Sequence, residues 1–226
     1  SKSKPNMETF CVTGSWDNEL NKNSDLYNAK IIANQLNVNL KIINVDDNEF
    51  FKNLEKMIFY LEEPICDPAV FSTYVIAKKA KNLGIKVLLS GTGGDEIFGG
   101  YRRHIISKYA YVLKFLPINT LKSINYNYQK YFNKNLFSRQ IKRLFNVVDD
   151  NKRIHISNLL QWHSMQDIKL VLNKSYHEFL KENHFSEIVD KNSFDNMLEV
   201  DKKYFLPDHN FNYTDKMSMA CGVEIR

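Results

Sequence analysis

The residues with the clearest capacity for chemistry lie in LLSGTGGDEIFGGY, residues 88–101. Ser90, Gly91, Thr92, Gly93 and Gly94 run directly into the acids Asp95 and Glu96, and Gly99, Gly100 and Tyr101 follow. Glycines in such a loop let main-chain N–H groups approach phosphate oxygens without a Cβ in the way. Two adjacent carboxylates suit a hard cation such as Mg²⁺ beside those phosphates, either as direct ligands or through water. A helix starting near Ile97 would add its positive end to the same place. The plainer alternative is a tight turn whose acids cap a helix, but two glycine pairs flanking Asp-Glu favour a nucleotide site. The loop lacks the G-K-[ST] of a Walker A sequence, and it is not the dinucleotide G-x-G-x-x-G either.

The elements that must position this loop alternate. TFCVTG (9–14) reads as a short buried strand ending at a glycine. SDLYNAKIIANQLN (24–37) repeats Leu26, Ala29, Ile32, Ala33 and Leu36 at helical spacing, with Ser24 or Asp25 as the N-cap. VNLKIINV (38–45) is a second strand, and residues 47–63 form a second helix stopped by Pro64. Residues 71–84 form a third helix closed by Gly84. IKVLLSG (85–91), apolar without alternation, suits a parallel strand covered on both faces. Strands separated by helices predict an α/β fold with a doubly wound parallel sheet, in which ligands collect at the carboxyl ends of the strands. Ser90 and the residues after it sit at such an end.

Beyond about residue 105 the strand signals stop. Residues 106–200 read as a helical layer whose aromatics form core, broken at Pro117 and at Asp149-Asp150-Asn151. The division expected is therefore 1–105 for the α/β part, 106–200 for the helical part and 201–226 for a returning segment. That segment stops at Arg226 without an element end, which suggests a truncated domain.

Composition sets the remaining bounds. With 43% hydrophobic and 25% charged residues the chain has an ordinary soluble globular balance. The net charge of +5 is spread over scattered lysines, which describes a solvated surface rather than a nucleic-acid partner. Cys11, Cys66 and Cys221 are distant and odd in number, so buried thiols in a reduced cytoplasm are expected. No apolar run is long enough for a secretion signal or a membrane span.

The quoted motifs carry a resemblance. VLLSGTGGDEIFGGYRRH is similar to the second ATP-site segment of the asparagine synthetase family, S-G-x-G-x-D-E-x-F-G-G-Y. EEPICDPAVFSTYVIAKKAKNLGIK resembles its E-P-x-x-D-P run, and DKMSMACGVEIR its late D-[RK]-x-x-M-A-x-x-x-E-x-R signature. TFCVTG and the helix after it resemble the strand lining the adenine and its successor. The matches fall in order over residues 9–101 and 204–226, and the stretch between matches only in character. The resemblance implies a Rossmann-like fold of the adenine nucleotide alpha hydrolase type. It also implies activation of the aspartate side chain by ATP to β-aspartyl-AMP, which ammonia from a glutaminase domain converts to asparagine. Residue by residue, Val12 then matches an adenine-lining position, and Ser90, Gly91, Gly93 and Gly94 fall in the ATP contact. Asp95 and Glu96 match the acids supporting Mg²⁺ and pyrophosphate, with Asp95 as the metal carboxylate. Asp67, Tyr101, Asp215, Glu224 and Arg226 match site-supporting positions. ATP and a carboxylate are the implied substrates, with no nucleic-acid or membrane partner and a homodimer left open.

The sequence departs from that pattern in ways that carry their own expectations. The family's S-G-G-x-D-S loop, due just before TFCVTG, is not present, nor is a glutaminase cysteine at the start or the family's lysine after E-x-R. An internal fragment of a longer enzyme, inactive alone, is therefore expected. Thr92 stands where glutamine-dependent relatives often carry an acid, and threonine is no base near neutral pH. That leaves open another acceptor, such as a surface polysaccharide, or a non-catalytic nucleotide-binding homologue.

Overall fold

The computed structural model describes residues 7–14, 24–113, 117, 120, 159–160, 165–179 and 193–226. The fold is mixed α/β, mostly helical, with short parallel strands. It divides into two compact units, one of residues 1–91 with 209–226 and the other of residues 92–208.

In the first unit, β1 (Glu8–Gly14) pairs in parallel with β2 (Asn39–Val45) along its whole length, Val12 opposite Ile43. Parallel partners need a crossover, and α1 (Asp25–Leu36) supplies it. Ser24 caps α1 by accepting the Tyr27 N–H at 3.1 Å. Leu26 and Ala33 of the expected stripe are buried, but Ile32 and Leu36 are 53% and 56% exposed. Two of the five stripe residues are buried, and Ala29 is half-buried.

α2 (Asp47–Leu61) begins at Asp46, whose carboxylate accepts the Glu49 N–H at 2.7 Å. It ends with Glu62 in the left-handed region, ahead of Pro64. α3 (Ala69–Asn82) buries Val70, Phe71, Tyr74, Val75, Ala77 and Ala80, and Gly84 at φ +75° closes it. This helix is the centre of the core. Met57 and Leu61 of α2 pack into the same cluster.

β3 is shorter than expected and covers only Val87–Leu88. It pairs in parallel with β4 (Glu224–Ile225). Among the described residues the strands form two parallel pairs, β1–β2 and β3–β4. The expectation of a strand covered on both faces is corrected. Val87 and Leu89 are 46% and 84% exposed, and among the described residues β4 is the only strand paired with β3. Cys66 corrects the buried-thiol expectation in the same way. It lies exposed in the loop before α3, while Cys11 and Cys221 are buried.

The second unit contains α4 (Gly94–Phe98), α5 (Arg102–Leu113), α6 (Met165–Val171), a 3₁₀ turn at Lys174–Phe179 and α7 (Ser193–Val200). α5 packs on α7. From α7 the chain widens into a π-wound stretch, Asp201–Phe211, containing Pro207, which has no N–H to donate. It leads into α8 (Asn212–Met219), which in the first unit packs on α3 and α2. Most of the expected helical layer, including the Asp149-Asp150-Asn151 break, lies outside the described residues.

Candidate functional site

The two units divide the glycine-acid loop, with Ser90 and Gly91 in the first and Thr92 onward in the second. In the first unit, pairing of β3 with β4 brings two distant motifs together. The Glu224 N–H donates to the Lys86 carbonyl at 2.9 Å, the Arg226 N–H to Leu88 at 2.9 Å, and the Ser90 N–H to the Arg226 carbonyl at 2.7 Å. The late E-x-R signature thus lies alongside the strand that delivers Ser90. Glu224 and Arg226 also pair with each other, Nε to Oε1 at 2.8 Å, and both side chains are exposed. The hydrogen bond and charge of Arg226 hold the Glu224 carboxyl below its ordinary range. In solvent such a pair adds little stability.

Asp67 and Asp215 belong to a second meeting of motifs in this unit. Asp67 Oδ1 accepts the Ala69 N–H at 2.8 Å and so caps α3, a task that Pro68 cannot perform. Its other oxygen lies 3.6 Å from His209 Nε2. Lys216, one residue after Asp215, donates to the Leu61 carbonyl at 2.6 Å and pairs with Glu62 at 3.4 Å. Lys216 also lies 3.8 Å from Glu63, and Asn212 Nδ2 donates to Glu63 at 3.1 Å, so the start of the E-P-x-x-D-P loop is tied to the D-K-x-x-M-A helix. The Asp215 side chain itself is exposed, and its carbonyl accepts the Ser218 hydroxyl at 3.1 Å. Val12 on β1 packs against the main apolar cluster. A surface groove of about 800 Å³ lies elsewhere, lined by Asp46, Glu49, Phe51, Lys52 and Lys78, and contains none of the expected site residues.

In the second unit, α4 starts at Gly94, three residues earlier than expected. Gly93 at φ +100° makes the entry turn, so Asp95 and Glu96 fall inside the first helical turn. A helix of five residues cannot hold itself. Its far end is fixed by the Gly99 and Gly100 N–H groups, which both donate to the Asp95 carbonyl, at 2.9 and 3.0 Å. Both glycines are required here. Gly99 has φ +77° and sits where a Cβ would come 2.9 Å from Phe194, and a Cβ on Gly100 would overlap the Asp95 carboxylate.

The two acids separate in role. Asp95 is exposed, whereas Glu96 is 1% exposed and accepts the Tyr101 hydroxyl at 2.7 Å. Glu96 is thereby committed inside the protein, and Asp95 is the carboxylate that a solute can reach. No group of three or more His, Cys, Asp or Glu side chains able to hold a metal occurs among the described residues. Mg²⁺ can be held through one carboxylate when it keeps most of its waters, and of the two acids only Asp95 is exposed for that.

Arg103, His104 and Asp201 were not singled out by residue type or spacing, yet they form the polar centre of this unit. His104 Nε2 lies 2.6 Å from Asp201 Oδ2, with both side chains fully buried. Arg103 Nε donates to the same oxygen at 3.0 Å, and its Nη2 lies 2.9 Å away as a charge contact without hydrogen-bond alignment. The Arg103 guanidinium stacks 3.9 Å from the Tyr101 ring centroid and 4.5 Å from that of Phe205. Asp201 lies 97 residues after His104, so no local spacing advertises the pair.

Residues 1–226 match the family described as Asparagine synthase. A putative glutamine-hydrolyzing asparagine synthetase of Mycobacterium tuberculosis is 43% identical over 61 residues, 27% of this chain and 9% of the relative. Asparagine synthetase [glutamine-hydrolyzing] 1 of Bacillus subtilis is 34% identical over 97 residues, 43% of this chain and 15% of the relative. The second such enzyme of Oryza sativa subsp. japonica is likewise 34% identical over 97 residues. The matched part thus spans between about a tenth and a sixth of the curated relatives' own length. With the family matched from end to end, the chain belongs to the asparagine synthase family.

Proposed function

We propose that this chain is the ATP-binding part of an amidotransferase-type carbon–nitrogen ligase that activates a carboxylate by adenylation. The observation that carries the reading is the β3–β4 pairing, which sets the E-x-R strand beside Ser90–Gly91 through the 2.7 Å bond from Ser90 N to Arg226 O. Gly91 supports it. A Cβ there would meet nothing within 4 Å among the described residues and no positive φ is required, so their packing gives no reason for glycine. A ligand approaching the main chain does give one. Because the Ser90 N–H is committed to Arg226, Gly91 is the first main-chain donor that the loop can offer a phosphate.

The proposed reaction is adenylation followed by amination. A carboxylate oxygen of the acceptor attacks the α-phosphorus of ATP, and the bond to the β-phosphate oxygen breaks, releasing pyrophosphate. Ammonia then attacks the acyl carbon and AMP leaves with the former carboxylate oxygen. Little covalent work falls to the protein, which positions the reactants and neutralises charge. By the family resemblance, Val12 is assigned to the adenine, Ser90, Gly91, Gly93 and Gly94 to the phosphates, and Asp95 to the pyrophosphate. Mg²⁺, held through Asp95, would supply charge neutralisation to the phosphates. Thr92, Tyr101, Asp67, Asp215, Glu224 and Arg226 support the site. In this reading residues 1–105 form the ATP-binding part of a doubly wound layer, residues 106–200 the helical part and residues 201–226 the returning strand. The parent protein works in the cytoplasm and receives ammonia from its own glutaminase domain.

Aspartate is the first acceptor to test. Thr92 favours a second reading in which another carboxylate, such as a sugar acid of a surface polysaccharide, takes its place. Full-length protein should release pyrophosphate from ATP only when a suitable carboxylate is present. The Asp95→Asn variant should lower that rate by about two to three orders of magnitude. A screen of aspartate, glutamate and sugar acids identifies the acceptor. No release with any of them contradicts adenylation, and unchanged turnover of Asp95→Asn removes Asp95 from the site.

A further inference from the structure

The buried pair His104–Asp201 lies outside the set of residues assigned above, and its connections lead straight to α4. The Tyr101 N–H donates to His104 Nδ1 at 3.2 Å, and the His104 N–H returns a bond to the Tyr101 carbonyl at 3.0 Å. Tyr101 in turn donates its hydroxyl to Glu96 at 2.7 Å. Since Nδ1 receives a main-chain N–H, the ring proton belongs on Nε2, where it points at Asp201 Oδ2, 2.6 Å away. Arg103 supplies the opposite charge to that carboxylate and presses on the Tyr101 ring. A fully buried carboxylate is retained only with such partners. Every residue in this chain of bonds belongs to the second unit.

We propose that His104 and Asp201 are positioning residues for the reaction. Acting through Tyr101 and Glu96, they set the orientation of the one-turn helix that presents Asp95. Neither touches substrate. The Gly93 and Gly99–Gly100 turns hold the ends of the short helix and the clamp holds Glu96 within it, so loss of the clamp rotates or loosens α4 without removing Asp95. The loss then appears in the transition state, where the placement of charge matters, more than in ATP binding.

The kinetic part of this proposal rests on the adenylation reading, and the spectroscopic part does not. In full-length protein near neutral pH, ¹⁵N imidazole shifts assigned with His104→Gln should show the neutral Nε2–H tautomer for His104. An Nδ1–H tautomer or a doubly protonated ring overturns the proposal. In pyrophosphate release with the accepted carboxylate, Asp201→Asn and His104→Gln should each lower kcat by at least about tenfold while the KM for ATP stays within about twofold. Met197→Ala, a buried apolar truncation in the same unit, serves as the stability control. It should lower Tm as much or more and leave kcat within about twofold of the parent. If kcat follows Tm across all three variants, the pair is structural only and the proposal falls. If the parent protein releases no pyrophosphate with any carboxylate, the adenylation reading fails and the tautomer decides the clamp by itself.

Discussion

The first unit encloses an apolar centre. Ala77, Ala80, Met217 and Val223 are completely buried among α2, α3 and α8. The second unit encloses Glu96, His104 and Asp201 beside Met197 and Val200. An apolar core is non-directional and tolerates substitutions that keep its volume. A buried polar network works only when its partners are present, and it fixes particular atoms in particular places. Among the described residues of the unit that carries Asp95, the polar network stands beside the α4 turn. The difference is one of tolerance: the apolar centre accepts volume-conserving replacements and the polar one does not.

The comparison is broken most directly by deleting one member from each centre. Asp201→Ala strands the Arg103 charge and the His104 proton, and should cost about 3–5 kcal/mol in chemical denaturation. Met217→Ala leaves a cavity in the apolar core and should cost about 2–5 kcal/mol. The contrast is sharpened by the hydrophobic replacements. Met217→Leu should lose less than about 1.5 kcal/mol, whereas no apolar side chain at Asp201 can satisfy Arg103 and His104. If Asp201→Leu proves as stable as the parent, the polar centre is not holding the second unit.

The sequence pattern anticipated the local elements far better than the polar centre. Strands β1 and β2, the Ser24 cap and the Gly84 stop follow from periodicity and capping chemistry, which are local. The glycines and acids of residues 90–101 are also legible, because their types and spacing are unusual. The division of labour between Asp95 and Glu96 is not, since adjacent acids look alike until one is buried against Tyr101. Asp201 was hidden for a similar reason. An aspartate before two lysines reads as surface charge, and its partners are almost a hundred residues away. The strand expected over 85–91 failed on a non-local question. Apolar content shows that a strand would be buried if covered, but not that something covers it.

Smaller effects separate the glycines. Gly100→Ala pushes a Cβ into Asp95 and should cost about 1–3 kcal/mol, with turnover falling as the carboxylate is displaced. Gly91→Ala meets no atom of the described residues, so thermal unfolding should change by no more than about 1 kcal/mol, in either direction. Its effect should appear instead as weaker ATP binding by titration calorimetry. Equal losses of stability at both positions would mean that Gly91, too, serves packing rather than a ligand.

The central claim, that the protein forms an acyl-adenylate, is tested most directly by isotope transfer. Full-length protein is supplied with ATP, ammonia and the accepted substrate carrying ¹⁸O in its carboxylate, and the AMP formed is weighed by mass spectrometry. Adenylation requires that one ¹⁸O pass from the carboxylate to the AMP phosphate. Product formed with unlabelled AMP, or with the label in orthophosphate beside ADP, would contradict it.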